Sequence, residues 1–281
     1  MKKRQIEIAV ISDVHLGTCQ CHAEELLAYL SSIRPKKLIL NGDLIHQSRT
    51  TTTYFPQSHY RVLKKIFGMA AAGTEVHYIC GSHETAMRSF RGYNLGDFHI
   101  HNKLLLELDG MKTLIFHGDL FGILPSAKWL TKLGSPGYGL GIGLNRVLNW
   151  FRTRLGKPPV SATGKPAGHP EKSSVFVQRF ENAVSDFAIR NGIAYVICGY
   201  LHRAQKKWME TPRGKTLYMN CGDWVENLTA LEYNFKRWKL YRYDEDKLSP
   251  FYADEDLKEM DINDLISSIM AKKVIREPKQ K

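Results

Sequence analysis

The chain has 281 residues, 43% of them apolar and 24% charged, a mixture ordinary for a globular protein and sufficient for one sizeable core with an insertion. No run of about 18 apolar residues is present, which excludes a spanning helix, and the lone Cys19/Cys21 pair among five cysteines excludes a zinc ribbon and fits idle thiols in a reducing cytoplasm. The formal net charge of +12 is uneven: between Phe121 and Phe180 nine Lys/Arg stand against one acid, Glu171.

Met1-Lys2-Lys3-Arg4 followed by Ile6–Ile11 has the outline of a secretory signal. Glu7 breaks the apolar run, however, and the segment leads directly into Asp13 and His15, so we read it as a retained first strand. Lys37–Leu40 and Val76–Cys80 are two further buried strands. Helical spacing precedes each, with Leu26, Leu30 and Ile33 on one face and Val62, Ile66 and Met69 on the next. This alternation is the βαβ pattern of an α/β layer. Leu104–Leu108 and Thr113–Phe116 flank Asp109-Gly110, whose tolerance of positive φ predicts a tight hairpin turn.

From Phe121 to about Asn191 the pattern changes to an insertion. Leu140, Leu144, Val147, Leu148 and Phe151 form one apolar helical stripe bordered by Arg146, Arg152 and Arg154. Phe176, Phe180, Val184 and Phe187 predict a second helix, and the Gly/Pro-rich Lys157–Pro170 between them reads as a loop. The sheet resumes with Ala194–Cys198, Thr216–Asn220 and Thr229–Tyr233, the last returning through Asn234-Phe235-Lys236 to Trp238–Tyr243. Asp261–Met270 reads as a terminal helix and Lys272–Lys281 as a frayed end. The organisation expected is a catalytic domain over 1–120 and 192–260, a basic helical lid over 121–191 and a tail over 261–281.

Five short motifs carry the chemistry, each placing His or Asp where the chain turns after a strand. They are Asp13-Val14-His15, Gly42-Asp43, Gly81-Ser82-His83-Glu84, His117-Gly118-Asp119 and Gly199-Tyr200-Leu201-His202. Hard oxygen and borderline nitrogen donors scattered over strand ends suit a pair of divalent cations better than a single closed site. A lone histidine is more often packed or solvated, so His22, His46, His59, His77, His99, His101 and His169 receive no metal assignment.

The order and spacing of these blocks resemble the calcineurin-like phosphoesterases, with their run of D-x-H, G-D, G-N-H-[DE], H and G-H-x-H. Ile11–Thr18, Pro56–His59, Phe116–Asp119 and Asn220–Glu226 resemble more narrowly the UDP-2,3-diacylglucosamine pyrophosphatase-like group. The resemblance implies an α/β fold, a four-layer αββα sandwich with a helical lid insertion. It implies a first metal held by Asp13, His15, Asp43 and His202, and a second by Asp43, Ser82, His117 and Tyr200, with Asp43 as the bridge. His83 is implied as the catalytic group facing the phosphate, Glu84 as the residue orienting its ring, and Asp119 as a brace behind His117. Arg88 and Arg91 are candidate contacts for a substrate phosphate, and Gln57 and His59 candidates for the cleft wall.

Two positions depart from the family pattern and touch the same metal. Ser82 stands for Asn and Tyr200 for the first His of G-H-x-H. A hydroxyl is a poorer ligand than an amide oxygen, and a phenol must lose a proton to bind well. Even losses around a ligand cost 10–100-fold, so two lost ligands cost at least about 10²–10⁴ in affinity. The expectation is therefore divalent ions, Mn²⁺ foremost, one firmly held and the second weakly, with a mixed Fe/divalent pair as the alternative that a Tyr ligand opens.

The function expected is metal-dependent hydrolysis of a phosphoanhydride or phosphodiester bond. The substrate the narrower resemblance implies is a nucleotide-linked acyl sugar of lipid A synthesis, handled by a cytoplasmic protein peripheral on the inner membrane. The basic amphipathic insertion fits an anionic membrane surface. A general phosphodiesterase or nuclease is the alternative enzyme, but the basic residues border apolar stripes and do not alternate with aromatic stacking platforms. A catalytically weakened lipid-phosphate-binding relative is the alternative outside enzymes.

Overall fold

The computed structural model describes residues 3–46, 54–81, 84, 87–119 and 174–246, apart from the side chains of Arg88 and Ser174. The stripe at 140–151, the loop at 157–170 and the terminal helix at 261–270 lie outside those residues. By contacts the chain divides into one unit of Met1–Gly118 with Ser185–Lys281 and a second of Asp119–Val184.

The first unit is built on two sheets. One contains β1 (Arg4–Ile11), β2 (Ile33–Asn41), β3 (Glu75–Ile79), β4 (Asn94–Leu95), β5 (Phe98–His101), β11 (Thr229–Asn234) and β12 (Arg237–Arg242), in the order β12-β11-β1-β2-β3-β5-β4. The other contains β6 (Leu104–Leu108), β7 (Met111–Ile115), β8 (Tyr195–Cys198), β9 (Gln205–Thr211) and β10 (Gly214–Asn220), in the order β6-β7-β8-β10-β9. Helices α1 (Ala23–Ser32) and α2 (Gln57–Ala71) connect β1 to β2 and β2 to β3, and α3 (Ser174–Arg190) precedes β8. This is a mixed α/β, two-sheet sandwich, as the resemblance implies.

Parallel pairing of β1 with β2 and of β2 with β3 explains the uninterrupted apolar runs read as buried strands. Side chains alternate between two cores. Ile8, Val10, Ile39 and Ile79 join Ile115, Ile197, Leu217 and Met219 between the sheets. Ala9, Ile11, Leu38, Leu40, Val76 and Tyr78 face the opposite way, onto Leu26, Leu30, Val62 and Ile66 of α1 and α2. Burying each such side chain contributes roughly 1.5–3 kcal/mol before conformational entropy is subtracted. Trp224 and Tyr29 are fully buried in the second core, their rings 5.4 Å apart.

The Asp109-Gly110 hairpin forms as expected, with φ of 50° and 77° at its two turn residues. Three details differ. Ile33 opens β2 where helical spacing had placed it on α1, because Ser32 ends the helix and Arg4↔Ile33 begins the strand register. The short β4 and β5 follow the third motif unannounced. The polar Gln205–Thr211 is an edge strand, paired antiparallel with β10 and alternating exposed with half-buried residues, and such a strand carries little apolar signal.

Candidate metal centre

The sandwich brings four of the five motifs together at the carboxyl ends of parallel strands. Asp13 and His15 follow β1, and Asp43 follows β2. His117 follows β7, and His202 follows β8. The first two loops extend side by side past their strands through Asp13 N–H to Gly42 O at 3.0 Å, His15 N–H to Asp43 O at 3.0 Å and Leu16 N–H to Leu44 O at 2.8 Å. In the second sheet the His117 carbonyl accepts from Gly199 N–H and Tyr200 N–H at 2.9 and 3.1 Å. Asp13, His15, Asp43 and His202 all have positive φ, between 51° and 54°, a region that residues with a Cβ seldom enter and that clusters at functional sites.

Three glycines make room for the ligands. A Cβ on Gly42 would lie 2.2 Å from His117 Nδ1, one on Gly81 2.1 Å from Asp43 Oδ1, and one on Gly199 2.7 Å from Asp13 Oδ2. The space so kept is lined by two donor groups, Asp13/His15/His202 and Asp13/Asp43/His117, each with ligand atoms within 4.8 Å of one another. Donors about 2.0–2.2 Å from one ion stand roughly 3–4.4 Å apart, so both groups need little movement to close on a cation. Asp13 is common to the two. Asp43, the bridge that the resemblance implies, stands in the second group beside Asp13 and His117.

The buried polar atoms point to the same conclusion. The Asp13 side chain is fully buried, yet neither oxygen accepts a hydrogen bond of good geometry, Oδ1 being faced by His202 Nε2 at 3.0 Å and His15 Nε2 at 3.9 Å. His117 Nε2 is likewise buried without a hydrogen bond, 3.5 Å from Asp43 Oδ2. Leaving such groups unsatisfied costs about 1–3 kcal/mol each, more for a charged one, unless a cation completes them. Burial opposes charge on both imidazoles, but Asp13 with Asp43 outweighs it at His117 and pushes that ring up to about 9. Asp13 and Asp223 push His202 up to about 10 in the same way. The cluster is too negative to stand without positive charge, and a divalent metal would take the place of those protons.

Each imidazole is oriented from behind. His117 Nδ1 donates to the Asn41 carbonyl at 2.9 Å, leaving Nε2 to face the ligand space. A main-chain carbonyl thus fills the bracing position that the sequence reading gave to Asp119. His202 Nδ1 lies 3.2 Å from Asp223 Oδ2. Asp223 is itself fixed, Oδ1 accepting from the N–H groups of Val225, Glu226 and Asn227 and Oδ2 from Asn227 Nδ2. Burial opposes its charge, but His202 and these N–H groups hold it well below the usual carboxylate range. The carboxylate–imidazole–metal relay is a recurring device for fixing a ligand. His15 Nδ1 approaches His46 Nδ1 at 3.4 Å. Neither Asp223 nor His46 was assigned a role from the sequence, although Asp223 lies within a motif that carried the resemblance.

Glu84 is anchored to the loop that presents Asp43. It is buried, Oε2 accepting from Asp43 N–H at 3.1 Å and Gly81 N–H at 3.0 Å, and Oε1 from Ile45 N–H at 3.0 Å. Both oxygens thus accept from the main chain, and His83, whose ring the resemblance has Glu84 orienting, lies outside the described residues. Burial raises its pKa, against hydrogen bonds from Tyr78 and the main chain that favour the ion. It ties the third motif to the loop presenting Asp43. Ser82 and His83 themselves lie outside the described residues. Tyr200 stands edge-on to His117, ring centroids 5.9 Å apart. Arg88 lies in the short 3-10 turn Met87–Phe90, and Arg91 follows it, exposed. His59 is buried, its Nδ1 accepting from Gly17 N–H at 3.0 Å.

The profile of the calcineurin-like phosphoesterase family matches residues 6–204, well over half of the chain. The chain belongs to that family. It is a metallophosphoesterase, of a family that binds divalent metals. No curated protein matches it. Solved structures are similar in fold at low identity. An archaeal phosphodiesterase is 13% identical over 84% of this chain and 98% of its own, with a TM-score of 0.41. The phosphoesterase YfcE from E. coli is 10% identical over 85% and 93%, with a TM-score of 0.41. A dimetal phosphatase from Danio rerio is 14% identical over 84% and 95%, with a TM-score of 0.39.

Proposed function

We propose that this metallophosphoesterase hydrolyses the pyrophosphate bond of a nucleotide-linked acyl sugar, of the UDP-2,3-diacylglucosamine type, at a membrane surface. The observation carrying the hydrolytic part is the buried Asp13 carboxylate, turned with His117 Nε2 into one gap without hydrogen bonds of its own. The lipid part rests on the narrower sequence resemblance and on the basic, amphipathic run at 121–180. No helix among the described residues is long and apolar enough to cross a membrane.

Divalent ions, Mn²⁺ foremost, supply charge neutralisation at the phosphate and activation of a water when bound. Asp13, His15 and His202 would hold one ion, and Asp13, Asp43 and His117 the other, with Ser82 and Tyr200 as weak further ligands. Asn41, Asp223 and His46 keep the imidazoles turned toward the ions, and Glu84 keeps Asp43 in place. His83 is the group we assign to protonate the leaving oxygen, and Arg88 and Arg91 to meet the outlying phosphate. A second reading, binding without turnover, draws on Ser82 and Tyr200, which weaken one ion's ligand set.

The test is metal counting on the purified protein, with and without added Mn²⁺, followed by hydrolysis of UDP-2,3-diacylglucosamine and bis(p-nitrophenyl) phosphate. Lipid-selective turnover upholds the proposal. Equal turnover of both substrates replaces it with a general phosphodiesterase, and tight binding of the lipid without hydrolysis replaces it with a binding protein.

A further inference from the structure

Three imidazoles stand together on one face of the seven-stranded sheet, none of them in the ligand groups of the metal centre. His77 is on β3, and His99 and His101 are on β5. The parallel register sets His77 opposite His99 and Ile79 opposite His101, and residues two apart along a strand share a face, so all three rings project to the same side. Ring centroids are 5.2 Å apart for His77 and His99, 5.3 Å for His77 and His101, and 6.3 Å for His99 and His101. The hydrolytic reading uses none of them.

The partners of these rings decide where their lone pairs lie. His99 Nδ1 is 2.8 Å from Asn94 Oδ1, an acceptor, so Nδ1 carries the ring hydrogen and Nε2 the lone pair. His77 is 8% exposed, and its Nε2 is buried without a hydrogen bond, 3.6 Å from Glu75 Oε2. Lys37 Nζ bonds Glu75 and holds its carboxyl below the usual range, so the oxygen facing His77 is anionic. The hydrogen of His77 belongs on Nε2, toward that carboxylate, which leaves the lone pair on Nδ1. His77 Nδ1 in turn lies 3.1 Å from His101 Nε2. Burial first, then the neighbouring imidazoles, push His77 down to about 4 and lower His101 as well, so both rings are neutral at pH 7, the form in which imidazole binds a metal. Without a metal, a hydrogen on His101 Nε2 bridges the pair. With one, that hydrogen moves to Nδ1 of the same ring.

We propose that His77 Nδ1 and His101 Nε2 chelate a borderline transition-metal ion, Zn²⁺ foremost, with His99 turning in as the third ligand, at a site whose ligands are separate from those of the phosphoesterase centre. Two nitrogens about 2.0–2.1 Å from one ion stand about 3.1–3.4 Å apart, the separation His77 and His101 already have. Asn94, exposed at the sheet edge, is free to follow the His99 ring. Glu75 behind His77 and Asn94 behind His99 fix which nitrogen meets the ion, as Asp223 does for His202. An uncharged, all-imidazole set favours Zn²⁺, Cu²⁺ or Ni²⁺ and holds Mn²⁺ poorly, whereas the carboxylates of the phosphoesterase centre suit Mn²⁺. The site stands whether or not the protein hydrolyses the substrate proposed above.

The experiment is modification of histidine by diethyl pyrocarbonate at pH 7 on the full chain, with Zn²⁺ or Mn²⁺ added, read by mass mapping of the tryptic peptide 92–103, which holds His99 and His101. Zn²⁺ should slow the modification of that peptide at concentrations where Mn²⁺ does not. Removing even a partner behind a ligand weakens metal binding about 10–100-fold, so Glu75→Gln should raise the Zn²⁺ concentration needed for protection by about that factor, and His77→Gln by at least as much. Circular dichroism checks folding, and Glu75, whose side chain is 41% exposed, can be replaced without opening a core. Absence of protection by Zn²⁺, or equal protection by Mn²⁺, overturns the proposal. So does an unchanged Zn²⁺ requirement in a folded His77→Gln protein or, should that variant not fold, in Glu75→Gln.

Discussion

Glu84→Ala separates two roles for a residue of the third motif. If the carboxylate only oriented His83, its loss would lower turnover and leave stability and metal affinity near their original values. In the structure Oε2 accepts from Asp43 N–H and Gly81 N–H and Oε1 from Ile45 N–H. Alanine leaves three donors around a cavity in a place where Glu84 is 3% exposed. Each buried donor left unsatisfied costs about 1–3 kcal/mol, so the expected loss is about 3–9 kcal/mol, less where water enters. Out of a typical total of roughly 5–15 kcal/mol, that is a large fraction. Glu84→Gln keeps one oxygen and turns an NH₂ toward at least one N–H group, for an expected loss of about 1–3 kcal/mol. Urea unfolding at constant slope measures the stability, and calorimetric titration with Mn²⁺ measures the site, because Asp43 moves with its loop. A Glu84→Ala protein within about 1 kcal/mol of the original, with unchanged Mn²⁺ affinity and only slower turnover, would refute the bracing role and restore the orienting one.

Asp223→Asn should weaken metal binding about 10–100-fold by removing the carboxylate behind His202, and equilibrium dialysis with Mn²⁺ checks it; unchanged affinity would show that Asp223 only caps the following turn. Gly81→Ala should abolish occupancy of the Asp13/Asp43/His117 group, since its Cβ would lie 2.1 Å from Asp43 Oδ1; a fully loaded Gly81→Ala protein by metal counting would contradict the close approach. His77 should give an acid-sensitive component of stability. Burial, then His101 and His99, push its ring down to about 4, below the ordinary 6.5. The unfolded chain therefore binds the proton first, and stability present above pH 6.5 is lost as pH falls toward 4. With solvent still reaching the ring, about 1–2 kcal/mol is expected. His77→Gln should flatten that part of the pH profile of urea midpoints, and a profile identical to the original would sink the assignment.

Much of the fold and the ligand set was legible because both follow local rules. The runs at Ile6–Ile11 and Lys37–Leu40 can only be strands buried on both faces, and Asp13, His15 and Asp43 stand at their ends. His117 and His202 were legible for the same reason. What could not be read was the support behind them. Asn41 holds His117 through a main-chain carbonyl, an atom every residue has, so no residue type could mark it. His46 and Asp223 are single polar residues whose partners lie 31 and 21 positions away. The hydrogen bonds that Glu84 takes from Asp43, Gly81 and Ile45 were not legible either, since the spacing of a motif does not name main-chain donors. The choice of Asp13 as the shared carboxylate likewise depends on how two sheets meet.

Strain and charge at the centre have one explanation between them. Four candidate ligands hold positive φ, each costing about 1–3 kcal/mol, and Gly42, Gly81 and Gly199 lie against their side chains, where a Cβ would clash. The same turns aim Asp13 and Asp43 into a shared buried space, where two carboxylates repel unless positive charge intervenes. Neither feature helps a fold whose cores lie elsewhere, among Ile8, Val10 and Ile39 on one side and Leu26, Leu30 and Val62 on the other. A cation would remove the repulsion and complete the unsatisfied oxygens, so strain that is a liability in the metal-free chain would become preorganisation in the loaded one. Substitutions that relax these turns should accordingly stabilise the metal-free protein while weakening its hold on the ion, a trade that separates a working metal centre from an accidental cluster of acids and imidazoles.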